Sequence, residues 1–414
     1  MMNWRDSKLR AVLTNKWTLF GVFALVGLAA ALFKLAPDRH NNFLIFCGVW
    51  DHLLQQVNLF TAYPDEYLDT NHYGPFFALV IAPFAMLPTW AGLILWNIAL
   101  ALFLYWADWT YSGLSAEGGR TAQRSNSVAV FLIWFTANEL YTALCMQQFN
   151  VAVAAMVMLA FVLVEKEKDE WATLLIVIGA LVKIYPIVAL VFFFFSKHKV
   201  RFVLTGLGWL IVCFCLPMFF SSPAYVCEEY REWYLSLTSK NDTNLLSLMQ
   251  NISLLGIIRK IGFAVSGGQA FWQTYSDLWV MVPGCALFVA TLCRVGQWQN
   301  LKYRQTVLGS MLMMICLFSS GTESSGYIVA LTGVVIWFTA APWQRSKWDI
   351  GLLVFCFLLT SMSPTDIFPR WVRVNIIQPY ALKALPVAMI WFKLIYEQLT
   401  RNYEDSLRRQ AVLS

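Results

Sequence analysis

Long apolar runs separated by short polar segments dominate the chain. A membrane-spanning helix needs about 20 predominantly apolar residues to cross the hydrocarbon layer. Shorter runs are typical of broken or re-entrant helices whose backbone is shielded by protein. The pattern therefore predicts an all-α polytopic membrane protein with about 11 to 13 transmembrane helices. The runs are 17–35, 75–87, 91–107, 128–144, 151–164, 171–183, 187–195, 202–220, 278–292, 307–318, 327–339, 350–360 and 376–396.

The positions of Lys and Arg predict how these helices are oriented. Short cytoplasmic loops of membrane proteins are enriched in both residues. Basic clusters at the N-terminus, within 165–170 and in the tail 398–414 are therefore expected to be cytoplasmic. The segments 36–74 and 221–277 then form extracytoplasmic loops, and aromatic residues throughout the second predict interfacial helices. The whole chain, 1–414, is expected to be one integral-membrane domain.

Two apolar segments are predicted to be broken. Simple alternation of crossings would put later basic clusters outside, so 75–107 is expected to cross only once, with a break around Pro88. For the same reason 171–195 is expected to break at Tyr185-Pro186. That break would leave Lys183 within the membrane or near its outer edge.

Composition supports a membrane class and argues against several others. Hydrophobic residues make up 59% of the chain and charged residues only 13%, whereas soluble domains carry about 25% charged residues. The net charge of +6 is spread over short clusters, so it indicates topology rather than nucleic-acid binding. The nine cysteines have no spacing typical of a metal site or of a disulfide framework.

The most polar extracytoplasmic segment follows the first apolar run. It is Tyr63–Pro75, YPDEYLDTNHYGP, and it contains three carboxylates, a histidine, an asparagine and three tyrosines. Ionisable residues next to membrane segments are usually functional. The segment therefore predicts an active site at the outer membrane surface.

Four segments in order carry a family resemblance. They are HYGPFFALVIAPFAMLP (72–88), QFNVAVAAMVMLAF (148–161), GALVKIYPIVAL (179–190) and QNISLLGIIRK (250–260). This order resembles glycosyltransferase family 87, in a form similar to its Bacteroidetes members, and the resemblance covers most of 42–323. It implies a GT-C-type enzyme that takes a sugar, usually mannose, from a polyprenyl-phosphate donor. The acceptor would be a lipid-linked or cell-envelope glycan on the outer, periplasmic face of a bacterial cytoplasmic membrane.

The chain departs from this family at the usual catalytic position. Family members commonly open the acidic loop with an aspartate in a D-[FL]-x-x-Y pattern, where this chain has Asn42. An asparagine cannot accept the proton that inverting transfer removes from the acceptor hydroxyl. The remaining carboxylates are Asp51, Asp65, Glu66 and Asp69. Asp69 is preferred as the base, because it lies three residues before His72 at the mouth of the next membrane segment, and Glu66 is its substitute.

The leaving lipid phosphate requires cationic or hydrogen-bonding groups, since its charge grows in the transition state. The cations expected there are Lys183, Arg259 and Arg231. Asn71, His72, Tyr73, Gln148 and Asn150 are expected to shape the sugar pocket, with Asn42, Tyr185, Asn251, Ser253 and Glu323 as further substrate contacts. A lipid monophosphate is already a stable leaving group, so no metal and no cofactor are expected.

Two other interpretations remain open at this stage. A transporter or lipid flippase would explain the broken helices and the intramembrane Lys183, but it would place its site near the bilayer midplane. A non-catalytic scaffold of an envelope-assembly complex would explain Asn42 as the mark of a lost activity.

Overall fold

In the computed structural model, residues 12–36, 39–117 and 122–403 are described, and every regular element in them is helical. Four helices of this described part are long and apolar enough to cross a membrane: Lys16–Lys34, Thr89–Leu114, Ser127–Cys145 and Lys199–Phe219. The protein is therefore an all-α polytopic membrane protein, as the hydrophobic pattern predicted. The total number of crossings stays a prediction. The basic residues Arg5, Lys8 and Arg10 and the tail beyond Tyr403 lie outside the described residues.

The chain divides into two compact units. The first contains the chain up to Trp134 together with Leu140–Ser239, and the second contains Phe135–Glu139 together with the chain from Lys240 onward. The expectation of one integral-membrane domain over 1–414 stays a prediction.

The first unit is built from nine main helices within the described ranges. They are α1 (Lys16–Lys34), α2 (Asn41–Gln55), α3 (Phe77–Ala85), α4 (Thr89–Glu117), α5 (Ala122–Cys145), α6 (Asn150–Glu165), α7 (Asp169–Val182), α8 (Lys199–Cys215) and α9 (Pro223–Asn244), with 3₁₀ segments at Tyr185–Phe194 and Leu216–Phe219. Residues 135–139 of α5 and the last turn of α9 belong to the second unit.

The second unit continues with shorter and more irregular helices. They are α10 (Leu254–Val265), α11 (Phe271–Thr274), α12 (Leu278–Leu292), α13 (Leu301–Leu317), α14 (Tyr327–Ala340), α15 (Lys347–Phe355), α16 (Arg370–Val372) and α17 (Leu385–Thr400). Short 3₁₀ turns lie at Val295–Gln297, Ser324–Gly326 and Leu382–Ala384, and π-helical segments lie at Cys356–Met362 and Arg373–Ile377. Helices α13 and α14 form its buried centre.

The segment 75–107 has one helix of spanning length. Helix α3 ends at Ala85, and α4 begins at Thr89, directly after Pro88. The turn is tight, because a Cβ on Gly92 would collide with the carbonyl oxygen of Phe84. Within this segment only α4 is long and apolar enough to cross a membrane. The single crossing expected from the charge pattern stays a prediction.

The segment 171–195 breaks two residues earlier than predicted. Helix α7 ends at Val182, Lys183 is extended with φ −148° and ψ 101°, and a 3₁₀ segment starts at Tyr185. Proline has no backbone N–H and kinks or breaks an α-helix. Gly179 leaves room for the ring of Pro186, which would lie 2.7 Å from a Cβ at that position. The break leaves the side chain of Lys183 at the end of α7.

Candidate active site

The polar segment Tyr63–Pro75, which we call the acidic loop, is held in place around Asp69. The amide N–H of Leu68 donates to Asn41 Oδ1 at 2.7 Å, and Asn41 Nδ2 donates back to the carbonyl oxygen of Leu68. Asp69 itself has φ 77°, a left-handed conformation that non-glycine residues adopt uncommonly. Its Oδ1 accepts from the N–H of Thr70 at 2.9 Å. Both peptide groups next to Asp69 are thus hydrogen-bonded, and its carboxylate stays near the exposed surface of the loop.

The residues after Asp69 pack onto α9. The side chain of Asn71 is buried and closes a turn on Tyr73, with Nδ2 and Oδ1 each 2.9 Å from a backbone atom of that residue. His72 Nδ1 lies 3.1 Å from Ser236 Oγ, and Trp233 Nε1 donates to the His72 carbonyl at 3.0 Å. This α9 contact orders the loop without using its carboxylates.

Five residues predicted as substrate contacts come together at the broken end of α7. Lys183 Nζ donates to Asn150 Oδ1 at 2.8 Å, and Asn150 Nδ2 donates to Gln148 Oε1 at 2.7 Å. The Lys183 ammonium also lies 5.4 Å from the ring centres of both Tyr73 and Tyr185. We call these five side chains the Lys183 cluster. They come from three of the sequence segments that carry the family resemblance.

The backbone explains why the Lys183 cluster forms. Gly74 N–H donates to the carbonyl oxygen of Val182 at 3.0 Å, and a Cβ on Gly74 would collide with Leu181. This close approach brings Tyr73 against the end of α7, where its hydroxyl accepts from the Phe149 N–H at 3.2 Å. The amide oxygen of Asn150 and the two tyrosine ring faces are neutral groups that orient the ammonium.

A second cluster of ionisable side chains in the first unit lies around His52. His52 Nε2 lies 3.0 Å from Glu66 Oε2, and its ring packs on Tyr63 with centres 3.9 Å apart. The histidine is 2% exposed, whereas the Glu66 side chain is 52% exposed. Burial raises the pKa of the neighbouring Asp51. Sequence reasoning missed His52, because a lone histidine within an apolar helix carries no distinctive spacing.

Glu229 on α9 is a further buried acid that the sequence did not single out. Its Oε2 accepts from the Leu59 N–H at 2.8 Å, which ties the segment before the acidic loop to α9. Burial is the main cause that raises its pKa to about 7. Glu228 and Glu232 on the same helix are also acidic, so the sequence carries no signal that the side chain of Glu229 is the buried one.

Two residues of the first unit that were predicted to contact substrate, Asn42 and Arg231, make contacts within the protein. Asn42 Nδ2 donates to the Met146 carbonyl at 2.8 Å, so this side chain joins the start of α2 to the end of α5. The Arg231 side chain is 70% exposed and pairs with Glu228 at 3.0 Å. An exposed ion pair of this kind is weak, and it leaves Arg231 on a solvated face of α9.

In the second unit, Asn251 and Ser253 build the start of α10. Asn251 is fully buried at φ 51°, and its Oδ1 accepts from Ser253 Oγ at 2.7 Å. Ser253 caps the helix by accepting from the Gly256 N–H at 3.0 Å, a favoured role for serine. Gln250 Nε2 donates to Glu323 Oε1 at 3.2 Å, so Glu323 lies beside this turn.

Arg259 is buried, and both of its terminal nitrogens make structural contacts, whereas its buried Nε has no hydrogen-bond partner among the described residues. It is 1% exposed and pairs with Asp277 at 2.7 Å, while its other donors reach the carbonyl oxygens of Trp272 at 2.6 Å and Tyr275 at 2.5 Å. The next residue, Lys260, donates to the Gln250 carbonyl at 2.9 Å. Burial lowers the pKa of Lys260 to about 8.

The described residues contain no group of three or more His, Cys, Asp or Glu side chains that could hold a metal ion. The expectation of metal-independent chemistry stays a prediction.

The fold and site define a polytopic membrane protein with a polar site at the end of α7, where the chain leaves the α-helical conformation. The family model of Glycosyltransferase family 87 matches this sequence over residues 71–320. The matched range is more than half of the chain and includes both the Lys183 cluster and the start of α10. The chain belongs to glycosyltransferase family 87 and is a membrane glycosyltransferase, as its four sequence segments predicted. Among curated proteins, no sequence matches it.

Proposed function

We propose that this glycosyltransferase takes a hexose, mannose by default, from a polyprenyl-phosphate donor in the outer leaflet of the bacterial cytoplasmic membrane. It gives the sugar to a lipid-linked or envelope glycan acceptor with inversion at the anomeric carbon. The fold would be a GT-C-type bundle with its active site facing the periplasm. The observation that carries this proposal is the Lys183 cluster, which joins three family segments around one cation in the same unit as the acidic loop.

Lys183 is the proposed contact for the donor phosphate. The leaving phosphate gains negative charge as the glycosidic bond breaks, and a fixed cation lowers the energy of that state. Asn150 and the rings of Tyr73 and Tyr185 orient the ammonium group. Its position at a helix break next to apolar segments suits a ligand with a charged head and a lipid tail.

Asp69 is the proposed general base. A carboxylate that takes the acceptor proton must point at a defined place, and the hydrogen bonds on both sides of Asp69 supply that order. Residues held in sparsely populated backbone conformations cluster at functional sites. Glu66 is the substitute, with His52 holding one of its oxygens.

The remaining residues receive supporting roles. Asn71, His72 and Tyr73 would line the sugar side of the site next to Gln148 and Asn150. In the second unit, Glu323 beside the Gln250 turn is a proposed substrate contact, and Asn251 and Ser253 shape that turn. The exposed Arg231 and the engaged Arg259 support a weaker case for direct phosphate binding.

A transporter or flippase is the second candidate function. The helix break at Lys183 favours it, because broken helices with a charge at the break are typical of transport sites. Membership of a glycosyltransferase family weighs against it.

The test uses Asp69→Asn, which keeps size and hydrogen bonding but removes the proton acceptor. With purified protein, synthetic polyprenyl-phosphomannose and an acceptor-lipid extract, kcat should fall about 10²–10⁴-fold, while donor binding persists. Asp242→Asn makes the same change at an exposed site on α9 and should retain activity. Full activity of Asp69→Asn would move the base to Glu66, Asp51 or Asp65. Absence of transfer by the wild type would favour the flippase.

A further inference from the structure

Asn41 forms the only two-way contact between the start of α2 and the acidic loop among the described hydrogen bonds. Its Oδ1 accepts from the Leu68 N–H at 2.7 Å, and its Nδ2 donates to the Leu68 carbonyl oxygen. A primary amide is the one side-chain group that offers a donor and an acceptor in this fixed arrangement. Asn41 therefore pairs with Leu68 as a neighbouring β-strand would, although the loop has no strand.

This contact acts directly on the backbone of Asp69. The carbonyl oxygen of Leu68 belongs to the peptide group that ends at the Asp69 nitrogen, so a hydrogen bond to it restrains that peptide plane. The following peptide plane is restrained by the Thr70 N–H, which donates to Asp69 Oδ1 at 2.9 Å. These two hydrogen bonds restrain the peptide planes on both sides of Asp69, whose φ is 77°, and hold its Oδ1 at the Thr70 N–H.

Neighbouring contacts give the Asn41 arrangement a rigid base. Asn41 begins α2, and about two turns along this helix Gly48 packs against the ring of Tyr67, which would lie 2.7 Å from a Cβ at that position. Tyr67 is buried. The residue before Leu68 is thus packed on the same helix that carries Asn41, and the loop cannot shift without breaking both contacts.

We propose that Asn41 is a positioning residue that holds the peptide group before Asp69 and so aims the catalytic carboxylate. The proposal rests on the proposed function, in which Asp69 is the base. It also gives Asn41 and Asn42 structural roles, so Asn42 need not mark a lost catalytic activity. Asn41 orders the loop, and Asn42 joins α2 to the end of α5 through the Met146 carbonyl.

Asn41→Ala tests this role, because it removes both hydrogen bonds from a partly exposed side chain without opening a core cavity. The expected result is a fall in kcat of about 10- to 100-fold, with KM for polyprenyl-phosphomannose changed less than threefold. Asn41→Asp keeps an acceptor for the Leu68 N–H but turns its second carboxylate oxygen toward the Leu68 carbonyl oxygen, so its kcat should fall at least as far as that of Asn41→Ala. Asn58→Ala is the matched control: Asn58 Oδ1 accepts from the N–H groups of Phe60 and Thr61, just before the acidic loop, and these contacts do not involve Leu68.

Hydrogen–deuterium exchange on the full-length protein in nanodiscs provides a readout that does not depend on activity. Peptides containing Leu68 and Thr70 should exchange at least tenfold faster in Asn41→Ala than in the wild type or in Asn58→Ala. Unchanged exchange, or faster exchange with wild-type kcat, would overturn the positioning role. If the wild type transfers no sugar while exchange still rises in Asn41→Ala, the proposed function fails and the hold on the loop stands.

Discussion

At the scale of single residues, the chemistry depends on where one ammonium group is held. Lys183 Nζ lies 2.8 Å from Asn150 Oδ1 and faces two tyrosine rings. A hydrogen bond to a charged group contributes about 1.5–3 kcal/mol, and each 1.4 kcal/mol is about tenfold in affinity. The loss of this one cation should therefore be measurable as a change in donor affinity.

We predict that Lys183→Met weakens binding of a polyprenyl-phosphate lipid about 10- to 100-fold. Lys183→Arg, which keeps the charge, should retain part of the affinity. Lys197→Met removes a lysine whose side chain is 73% exposed and paired with Glu167, and it should bind the lipid like the wild type. Equal affinity of Lys183→Met and wild type, measured by scintillation proximity, would move the phosphate to Lys240, Arg370 or Arg373.

At the scale of helices, one buried arginine joins α10 to the segment that follows it. Arg259 reaches Trp272, Tyr275 and Asp277, so it ties α10 to the start of α12. The sequence suggested a phosphate contact at this position, because an arginine in an extracytoplasmic segment is a natural anion ligand. The contacts of Arg259 instead favour a role in stability.

We predict that Arg259→Ala lowers the free energy of unfolding by about 3 kcal/mol, since breaking a buried ion pair leaves its partner uncompensated. Arg231→Ala, which breaks an exposed pair, should cost about 1 kcal/mol or less. Thermal unfolding in detergent compares the two variants. A normal unfolding midpoint for Arg259→Ala together with weakened donor binding would instead establish a direct phosphate contact.

At the scale of the whole molecule, the open question is which face of the membrane carries the acidic loop. The distribution of Lys and Arg predicts that Tyr63–Pro75 is outside and that 165–170 is cytoplasmic. Asp65 and Lys166 are both exposed and suit reporter cysteines. The exposed native cysteines Cys227, Cys285 and Cys293 would first be replaced by serine.

We predict that a membrane-impermeant maleimide labels Asp65→Cys in intact cells and labels Lys166→Cys only after the membrane is permeabilised. The physical reason is the cost of translocating basic loops against the positive-inside bias. Mass shift on a gel measures the labelling. If both positions are labelled only after permeabilisation, the periplasmic active site is excluded.

Much of the fold could be predicted because it depends on local properties. Apolar runs and breaks at proline determine where a membrane helix forms and where it ends, so the interruption between α3 and α4 near Pro88 and the break after α7 followed from residues close together in the chain. The helix ends two residues earlier than predicted, because Lys183 rather than Tyr185 is the first residue with a non-helical backbone. The split into two compact units was not expected, because no change of composition marks it.

The sequence by itself determined the membrane class, the glycosyltransferase family and the residue types from which the site is assembled. Only the tertiary structure decided how those residues are used. Asn41 meets Leu68 across 27 positions, and Lys383 meets the buried Glu139 across 244, with 2.9 Å between Nζ and Oε1. Such pairs are absent from any local pattern, because a hydrogen bond depends on distance and angle in space rather than on spacing along the chain. For the same reason, only the fold distinguishes the inward-facing Arg259 from the solvated Arg231.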